Sequence, residues 1–276
     1  MGLRINTNVA AFNAHRQLAK SDSALGTSLE RLSSGLRINK AKDDVAGLAI
    51  ANSFRTEVRG LRVAQQNVSQ ATAMLQVADG AGNQIEGILE RLKELATSAA
   101  SDNTSDAGRA SLNDEAGELI SEINRIAGDT SYQGTQLIDG TGGSKEFMIG
   151  SSNGTNDTIT VDFSNVDFDA TKLSIDSLDI KGRSDAENAL KTIDNAVSTA
   201  GVAMGNIGAA QSRLSFASAN LANTIENLAA SESTIRDADM AFEMVAFTRN
   251  QIMMQAGTAM LAQANMAPQS VLSLFG

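Results

Sequence analysis

Residues 186–242 read AENALKTIDNAVSTAGVAMGNIGAAQSRLSFASANLANTIENLAASESTIRDADMAF. Within this stretch an apolar or small residue falls at every position of an alternating three-then-four spacing. One rail is Ala186, Ile193, Ala200, Ile207, Leu214, Leu221, Leu228, Ile235 and Phe242; the other is Ala189, Ala196, Ala203, Ala210, Ala217, Thr224, Ser231 and Ala238. The spacing predicts one continuous helix across the whole stretch. At the α-helical rise it would be ~85 Å long, whereas a compact globule of this chain length has a radius of gyration of roughly 19 Å. The expectation is therefore a rod. A rod built on a heptad seam packs against other helices, which points to a structural or assembly protein and away from an enzyme.

The same spacing recurs towards the amino terminus, where Leu18, Leu25, Leu29, Leu32 and Leu36 lie seven, four, three and four apart. Ser33-Ser34-Gly35 predicts its end, with Gly35 as a left-handed cap. Asn39 to Lys42 read as a connector. Asp43-Asp44 mark the next helix start, because a carboxylate satisfies free backbone amides there. From Leu61 the seam resumes through Ala64, Val68, Ala71, Leu75, Ala78, Gly82, Ile85, Leu89, Leu92, Ala96 and Ala99. The turn-formers Ser101 to Asp106 interrupt it, and Leu112, Ala116, Leu119, Ile123 and Ile126 predict a shorter helix folding back.

Between about 130 and 183 the helical spacing disappears and glycine, serine, asparagine and threonine dominate. Lys145–Ile149 and Thr158–Phe163 alternate in polarity around a segment containing Asn153-Gly154, which predicts a β-hairpin. An insertion between helices of one bundle is expected to project from its tip or flank. Beyond it, the carboxyl end resumes helical spacing in two adjacent rows: Met244, Phe247, Met254, Leu261, and Val245, Ile252, Ala259, Met266. Two placements are open for this broad methionine-rich face, against the molecule's own bundle or against other molecules. Its terminal position favours the second.

Composition narrows the classes. Aromatic residues make up 4% of the chain and tryptophan is absent, so the core is aliphatic and thin, as helix seams allow. The one proline, Pro268, permits long unbroken helices. The absence of cysteine excludes disulfides, thiolate metal sites and a cysteine nucleophile. The opening Met1-Gly2-Leu3-Arg4-Ile5-Asn6-Thr7 lacks the apolar core of a secretory signal, and no apolar run reaches the ~18 residues of a membrane span. Export, where it occurs, is expected without a cleaved signal. Of the net charge of −10, residues 1–42 carry seven basic residues against two acidic, and residues 231–276 two against four. This asymmetry fits pairing of the two ends, and equally an ordinary solvated pattern. A chain this acidic, with few stacking residues, is a poor nucleic-acid binder.

The groups that chemistry needs are missing. His15 is the one histidine and sits on an amphipathic helix as a surface residue, so zinc-peptidase and Ser-His-Asp arrangements lack their parts. Gly140 to Lys145 fails the phosphate-loop spacing. Asp162, Asp167 and Asp169 do not form a calcium loop, and read as solvated acids. Asn-x-Ser/Thr triplets at Asn67, Asn103, Asn153 and Asn156 are short enough to arise by chance. No cofactor and no metal is expected.

Both termini resemble bacterial flagellin. At the amino end the similar residues are Ile5-Asn6-Thr7-Asn8-Val9, Ser28 to Asn39, and Ala41 to Ile50. At the carboxyl end they are Ile235 to Asp239, Gln255 to Thr258, Leu261 to Asn265, and Val271 to Leu274. The resemblance covers about 1–130 and 185–276 and implies a flagellin with a reduced outer region. It implies an inner, filament-core domain from residues 1–44 and 235–276, and a helical rod domain from 45–130 and 185–234. Residues 131–184 then form a β-hairpin and reduced outer region. The resulting fold is mainly α, an elongated coiled-coil-like bundle with a small β-hairpin insertion and paired terminal helices.

The implied function is a structural subunit, not an enzyme, that polymerises into the flagellar filament for swimming, outside the cell. Implied partners are identical copies, an export chaperone and the type III export apparatus, and the filament cap and hook-junction proteins; no membrane is among them. The self-assembly interface is expected at Leu18, Leu25, Leu29, Leu32, Leu36, Val245, Ile252, Met254, Leu261, Leu272 and Leu274. The terminal helices are expected to be poorly ordered until neighbouring subunits cover them. Leu89 to Ala96 also resembles the patch by which the innate receptor TLR5 detects flagellins, with Arg91, Glu94, Leu95 and Glu115 in matching positions; the plainer reading makes these seam residues and solvated charges. Two other readings share the pattern: a hook-filament junction protein, and a secreted coiled-coil translocator that inserts into membranes.

Overall fold

Five helices and two short antiparallel hairpins make up the chain in a computed structural model that describes residues 7–152 and 154–275. The helices are α1 (Val9–Ser34), α2 (Val45–Ala99), α3 (Asp106–Asp129), α4 (Arg183–Arg236) and α5 (Met240–Phe275). Strands β1 (Ser131–Tyr132) and β2 (Thr135–Gln136) form one hairpin, β3 (Ser144–Met148) and β4 (Thr158–Asp162) the other. The chain divides into two compact units, residues 1–56 with 227–276 and residues 57–226, and α2 and α4 contribute to each.

In the 57–226 unit the apolar spacing translates directly into burial. Leu61, Ala64, Val68, Ala71, Leu75, Ala78, Ile85, Leu89, Leu92, Ala96 and Ala99 of α2 are all buried, as are Ala116, Ile120, Ile123 and Ala127 of α3. On α4, Ala186, Ile193, Ala200, Ile207, Leu214 and Leu221 are buried on one rail and Ala189, Ala196 and Ala203 on the other. Large residues on one rail of α4 thus sit beside small ones on the other. At the α2–α3 turn, Arg109 closes the end of α2. Its guanidinium donates to the carbonyls of Ala99 (2.8 Å) and Ser101 (3.0 Å), where the helix leaves acceptors free.

Part of the expected appendage is built into the core. Leu137, Ile138, Phe163, Val166, Phe168, Leu173, Ile175 and Ile180, all from the stretch without helical spacing, are buried. Asn124 and Asn113 of α3 hold that chain in place: their side-chain oxygens accept from the backbone N–H of Ala170 and Ile180, each at 3.0 Å. The β3–β4 hairpin pairs Ser144 with Asp162 through Met148 with Thr158. The connection spans residues 149–157 and contains a 3₁₀ turn at Thr155–Asp157, so the hairpin does not close on a two-residue Asn-Gly turn, and Asn153 lies outside the described residues. Asn67 of α2 donates to the carbonyl of Met148 at 3.2 Å, seating the hairpin against that helix. The β1–β2 hairpin was unanticipated. Its turn residues Gln133 and Gly134 both take positive φ, 49° and 77°.

In the other unit, α1 starts on Asn8, whose side chain accepts from the N–H of Ala11 (3.0 Å), and stops at Gly35 with φ 72°, the expected left-handed cap. Asp44 opens α2 as anticipated, accepting from the N–H of Gly47 at 2.9 Å. A correction applies to the carboxyl-terminal helix, which is not continuous to Phe242. It stops at Arg236, and α5 begins at Met240. Asp237 still donates to its own helix, at the carbonyl of Ser233 (2.8 Å), and the groups around it pair with the α1–α2 connector. Leu36 bridges Asp237, Ala238 donates to the carbonyl of Gly35 (2.9 Å), and Arg37 donates to that of Arg236 (2.7 Å). Asp239 then caps α5, its carboxylate accepting from Ala241 (2.9 Å) and Phe242 (3.1 Å).

Candidate assembly surface

Helices α1 and α5 pack antiparallel, and three contacts fix their register. Asn8 donates its amide to the carbonyl of Ala264 (2.7 Å), Leu18 lies against Gly257, and Arg31 meets Glu243 at 3.7 Å. A Cβ on Gly257 would stand 3.2 Å from Leu18 Cδ1, so this glycine is the notch that admits the leucine. The face of α1 turned to α5 carries two rows seven residues apart: Ala11, Leu18, Leu25 and Leu32, beside Ala14, Ser21 and Ser28. The matching face of α5 carries Phe247, Met254 and Leu261 beside Glu243, Asn250, Gly257 and Ala264. Large rows lie beside small or polar ones on both helices. Ser21, Ser28 and Glu243 are the buried polar members of the pair.

This pairing separates the expected interface residues into two groups. Leu18, Leu25, Leu32, Leu36, Met254 and Leu261 are half-buried. Leu29, Val245 and Ile252 are exposed, at 53%, 60% and 59%. Leu272 and Leu274 lie on α5, but their side chains are outside the described residues, as are Ile5 and Asn6 of the terminal signature. The second α5 row, Val245, Ile252, Ala259 and Met266, is exposed throughout.

Reading the sequence missed other members of that surface. Phe12 on α1 is 69% exposed, and Phe242, assigned above to the inner seam, is 72% exposed because the helix break redirects it. Met240, Met253 and Met260 join them, beside Met244 of the row already named. Glu243 and Arg249 are the only charged residues of α5, and Glu243 faces inwards. Among the described residues of this unit, Ile38 and Ala51 are the only buried apolar side chains. The usual distribution is thus inverted: the large apolar groups are outside and the interior holds few.

The connector after α1 depends on one carboxylate. Asp43 Oδ2 accepts from the N–H of Asn39 (3.2 Å) and Lys40 (3.0 Å), and the backbone hydrogen bond from Lys40, the strongest influence, holds its pKa below the ordinary carboxylate value. A depressed folded-state pKa means the turn is fully stabilised above the ordinary value and loosens as pH falls through the lowered one. The expected outcome is that the Asn39 and Lys40 amides exchange faster on acidification, with Asp43→Asn removing that dependence in an NMR exchange series. Lys40 also pairs with Glu30 at 2.6 Å.

Arg91, Glu94 and Glu115 form an exposed ion cluster. The guanidinium donates to Glu94 at 2.8 Å and to Glu115 at 3.1 and 2.8 Å. Leu95, expected in the same patch, is 3% exposed and packs inwards. The acids of the insertion are engaged in turns: Asp139 accepts from Thr141, Asp162 from Ser164, and Asp167 from Asp169. Among the described residues, no three metal-ligating side chains gather, and no helix is long and apolar enough to cross a membrane.

Comparison with known proteins matches the two ends of the chain and leaves residues 143–189 unmatched by a family model. Residues 5–142 match the family model of the bacterial flagellin N-terminal helical region, and residues 190–275 that of the C-terminal helical region. A flagellin of Halalkalibacterium halodurans is 40% identical over 270 residues, covering 98% of each chain. The flagellar filament 31.3 kDa core protein of Treponema maltophilum is 35% identical, covering 98% of this chain and 99% of its own. Among solved structures, the Bacillus cereus flagellin is similar with a TM-score of 0.51 and 29% identity, over 56% of this chain and 88% of that one.

Proposed function

Because the chain belongs to the bacterial flagellin family, whose members are structural subunits of the flagellar filament, we propose that it polymerises through the outward faces of its paired terminal helices. The observation that carries this reading is the inverted unit formed by residues 1–56 and 227–276. Phe12, Phe242, Val245, Ile252, Met260 and Met266 stand in solvent, while among its described residues Ile38 and Ala51 are the buried apolar side chains. An isolated subunit gains little from such an arrangement. Identical copies stacked in an open-ended helical array bury it repeatedly.

The working assignment places the filament core in residues 1–44 and 235–276, the helical rod in 45–130 and 185–234, and the reduced outer region in 131–184. The inward row Leu18, Leu25, Leu32, Met254 and Leu261 aligns the terminal helices, and Leu29, Val245 and Ile252 meet neighbouring subunits. The filament drives swimming from outside the cell, reached through the type III export route with a chaperone, and the subunit has no catalytic role. Cap and hook-junction proteins bound the filament at its two ends. Arg91, Glu94 and Glu115 form the accessible part of a TLR5 contact, and Leu95 shapes it from beneath.

Seeded polymerisation tests the central reading. Purified protein added to sonicated filament fragments should elongate them in electron micrographs, and protein lacking residues 255–276 should not, although its 57–226 unit still melts cooperatively. Normal fibres from the truncated chain would remove the terminal helices from the interface. A hook-filament junction protein would fail to elongate seeds of its own kind. Order within the free subunit is a separate test. Amides of α1 and α5 should exchange well ahead of those in α2 residues 61–99, and slow on assembly, because few buried apolar contacts protect them.

A further inference from the structure

Six of the ten methionines lie between Met240 and Met266. Met240, Met244, Met253, Met260 and Met266 are exposed, whereas Met254 is half-buried against α1 and Met74, in the core of the other unit, is 6% exposed. Methionine suits a surface that meets several neighbours, because its unbranched thioether adapts to different packings. The same sulfur is the soft spot of the chain. Cysteine and tryptophan are absent and one tyrosine is present, so no thiol stands ready to intercept an oxidant.

We propose that the exposed methionines of α5 form an oxidation-sensitive patch through which peroxide blocks subunit addition, and that assembly shields them; this rests on the filament reading above. The co-reactant is a hydroperoxide. A sulfur lone pair attacks one peroxide oxygen, the O–O bond breaks and an S–O bond forms. Sulfur gives up two electrons, and the departing hydroxide takes the proton of the transferred oxygen and leaves as water.

The product is a polar, chiral sulfoxide in place of a pliant apolar end. Its new neighbours argue for a large effect. Met244 and Met253 line a shallow depression of about 460 Å³ with Val245, Ile252, Thr248 and Arg249, so a sulfoxide buried there by a partner meets the hydrocarbon of Val245 and Ile252 and has donors only in Thr248 and Arg249. A sulfoxide oxygen that exchanges its water for apolar neighbours, and reaches a donor only where Thr248 or Arg249 can turn to it, opposes association. Because every subunit presents the same patch, one modified subunit also obstructs the next one at a growing end.

The experiment treats the full-length monomer and, separately, preformed filaments with hydrogen peroxide, maps sulfoxide by peptide mass spectrometry, and then measures seeded elongation. In the monomer, the five exposed methionines of α5 should oxidise about tenfold faster than Met74, and in filaments that advantage should shrink severalfold, whereas Met148, exposed on the β3–β4 hairpin, lies outside the patch. Oxidised monomer should elongate seeds at least about tenfold more slowly than untreated monomer, and methionine sulfoxide reductases A and B with a thiol reductant should restore it. A variant with leucine at positions 240, 244, 253, 260 and 266 should keep elongating after peroxide. If that variant does not assemble, reductase rescue of the unaltered chain decides the matter.

Oxidised monomer that elongates normally, or a loss that the reductases do not reverse, overturns the proposal. Failure of untreated monomer to elongate seeds overturns the filament reading itself, a different result.

Discussion

Ile252→Asp protein should fold like the parent and fail to elongate seeds at concentrations where the parent grows. Ile252 stands 59% exposed on the row of α5 that faces away from α1, beside the equally exposed Val245. In the free subunit the new carboxylate stays in water, so the change in stability should remain within about 0.5 kcal/mol. Covered by a neighbour, it loses hydration, and the one charge of this face near it is Arg249, three residues back in the same depression. Even paired with that guanidinium, a carboxylate buried against apolar neighbours costs more in lost hydration than the pair returns. A net penalty of about 3 kcal/mol per added subunit raises the critical concentration by roughly a hundredfold.

The inward row supplies the contrast. Leu261→Asp, between α5 and α1, should weaken the paired helices in the monomer as well, seen as lost helicity by circular dichroism. If Ile252→Asp and parent protein showed the same critical concentration in a sedimentation assay, the outward row would not be an interface.

How far such residues can be read from sequence depends on the competing signal at each place. On α2 the heptad pattern is unambiguous because polar residues separate the apolar ones, and each residue from Leu61 to Ala99 named from it is buried. On α1 the eye follows leucine, yet the seam uses Ser21 and Ser28, and Leu29 points outwards. Small polar residues tolerate a close helix approach that a leucine at the same place would obstruct, and no rule that counts only apolar positions finds them. On α5 periodicity carries little information, since the helix is apolar nearly all round and any row can be drawn through it.

The run from Ala186 overshot for a related reason. Ala238 and Phe242 continue the spacing by coincidence, while the signal that mattered was Asp239, a capping carboxylate three residues after Arg236. In residues 131–182 the one local period to be read is the alternation that gives β3 and β4; the rest carries none. Phe163 and Phe168 are held by contacts with chain distant in sequence, and the glycine and asparagine around them mark only where the backbone turns.

Phe168→Ala should be the most damaging single substitution in the 57–226 unit, lowering its stability by about 3–5 kcal/mol. The ring is fully buried, and its Cζ lies 3.3 Å from the point a Cβ on Gly82 would occupy, with the Met204 thioether beside it. The Phe168 N–H donates to the carbonyl of Ile138 (2.9 Å), and the next turn is tied to Asn124 of α3, so the backbone cannot easily follow the lost ring inwards. A cavity that the surroundings cannot collapse into is the costly kind. For a unit of this size the loss corresponds to a fall in melting temperature of roughly 10 °C, and the urea midpoint should drop with its slope unchanged.

Phe216→Ala is the matched control, since Phe216 is 76% exposed on α4 and should cost no more than about 0.5 kcal/mol. Gly82→Ala closes the test. Alone, it must displace the flexible Met204 end and press on the Phe168 ring, whereas in the Phe168→Ala background half of that crowding is gone. The two changes together should therefore cost less than their separate effects added, a favourable coupling in a double-mutant cycle. Strict additivity would mean that the ring does not pack into the notch that Gly82 leaves open.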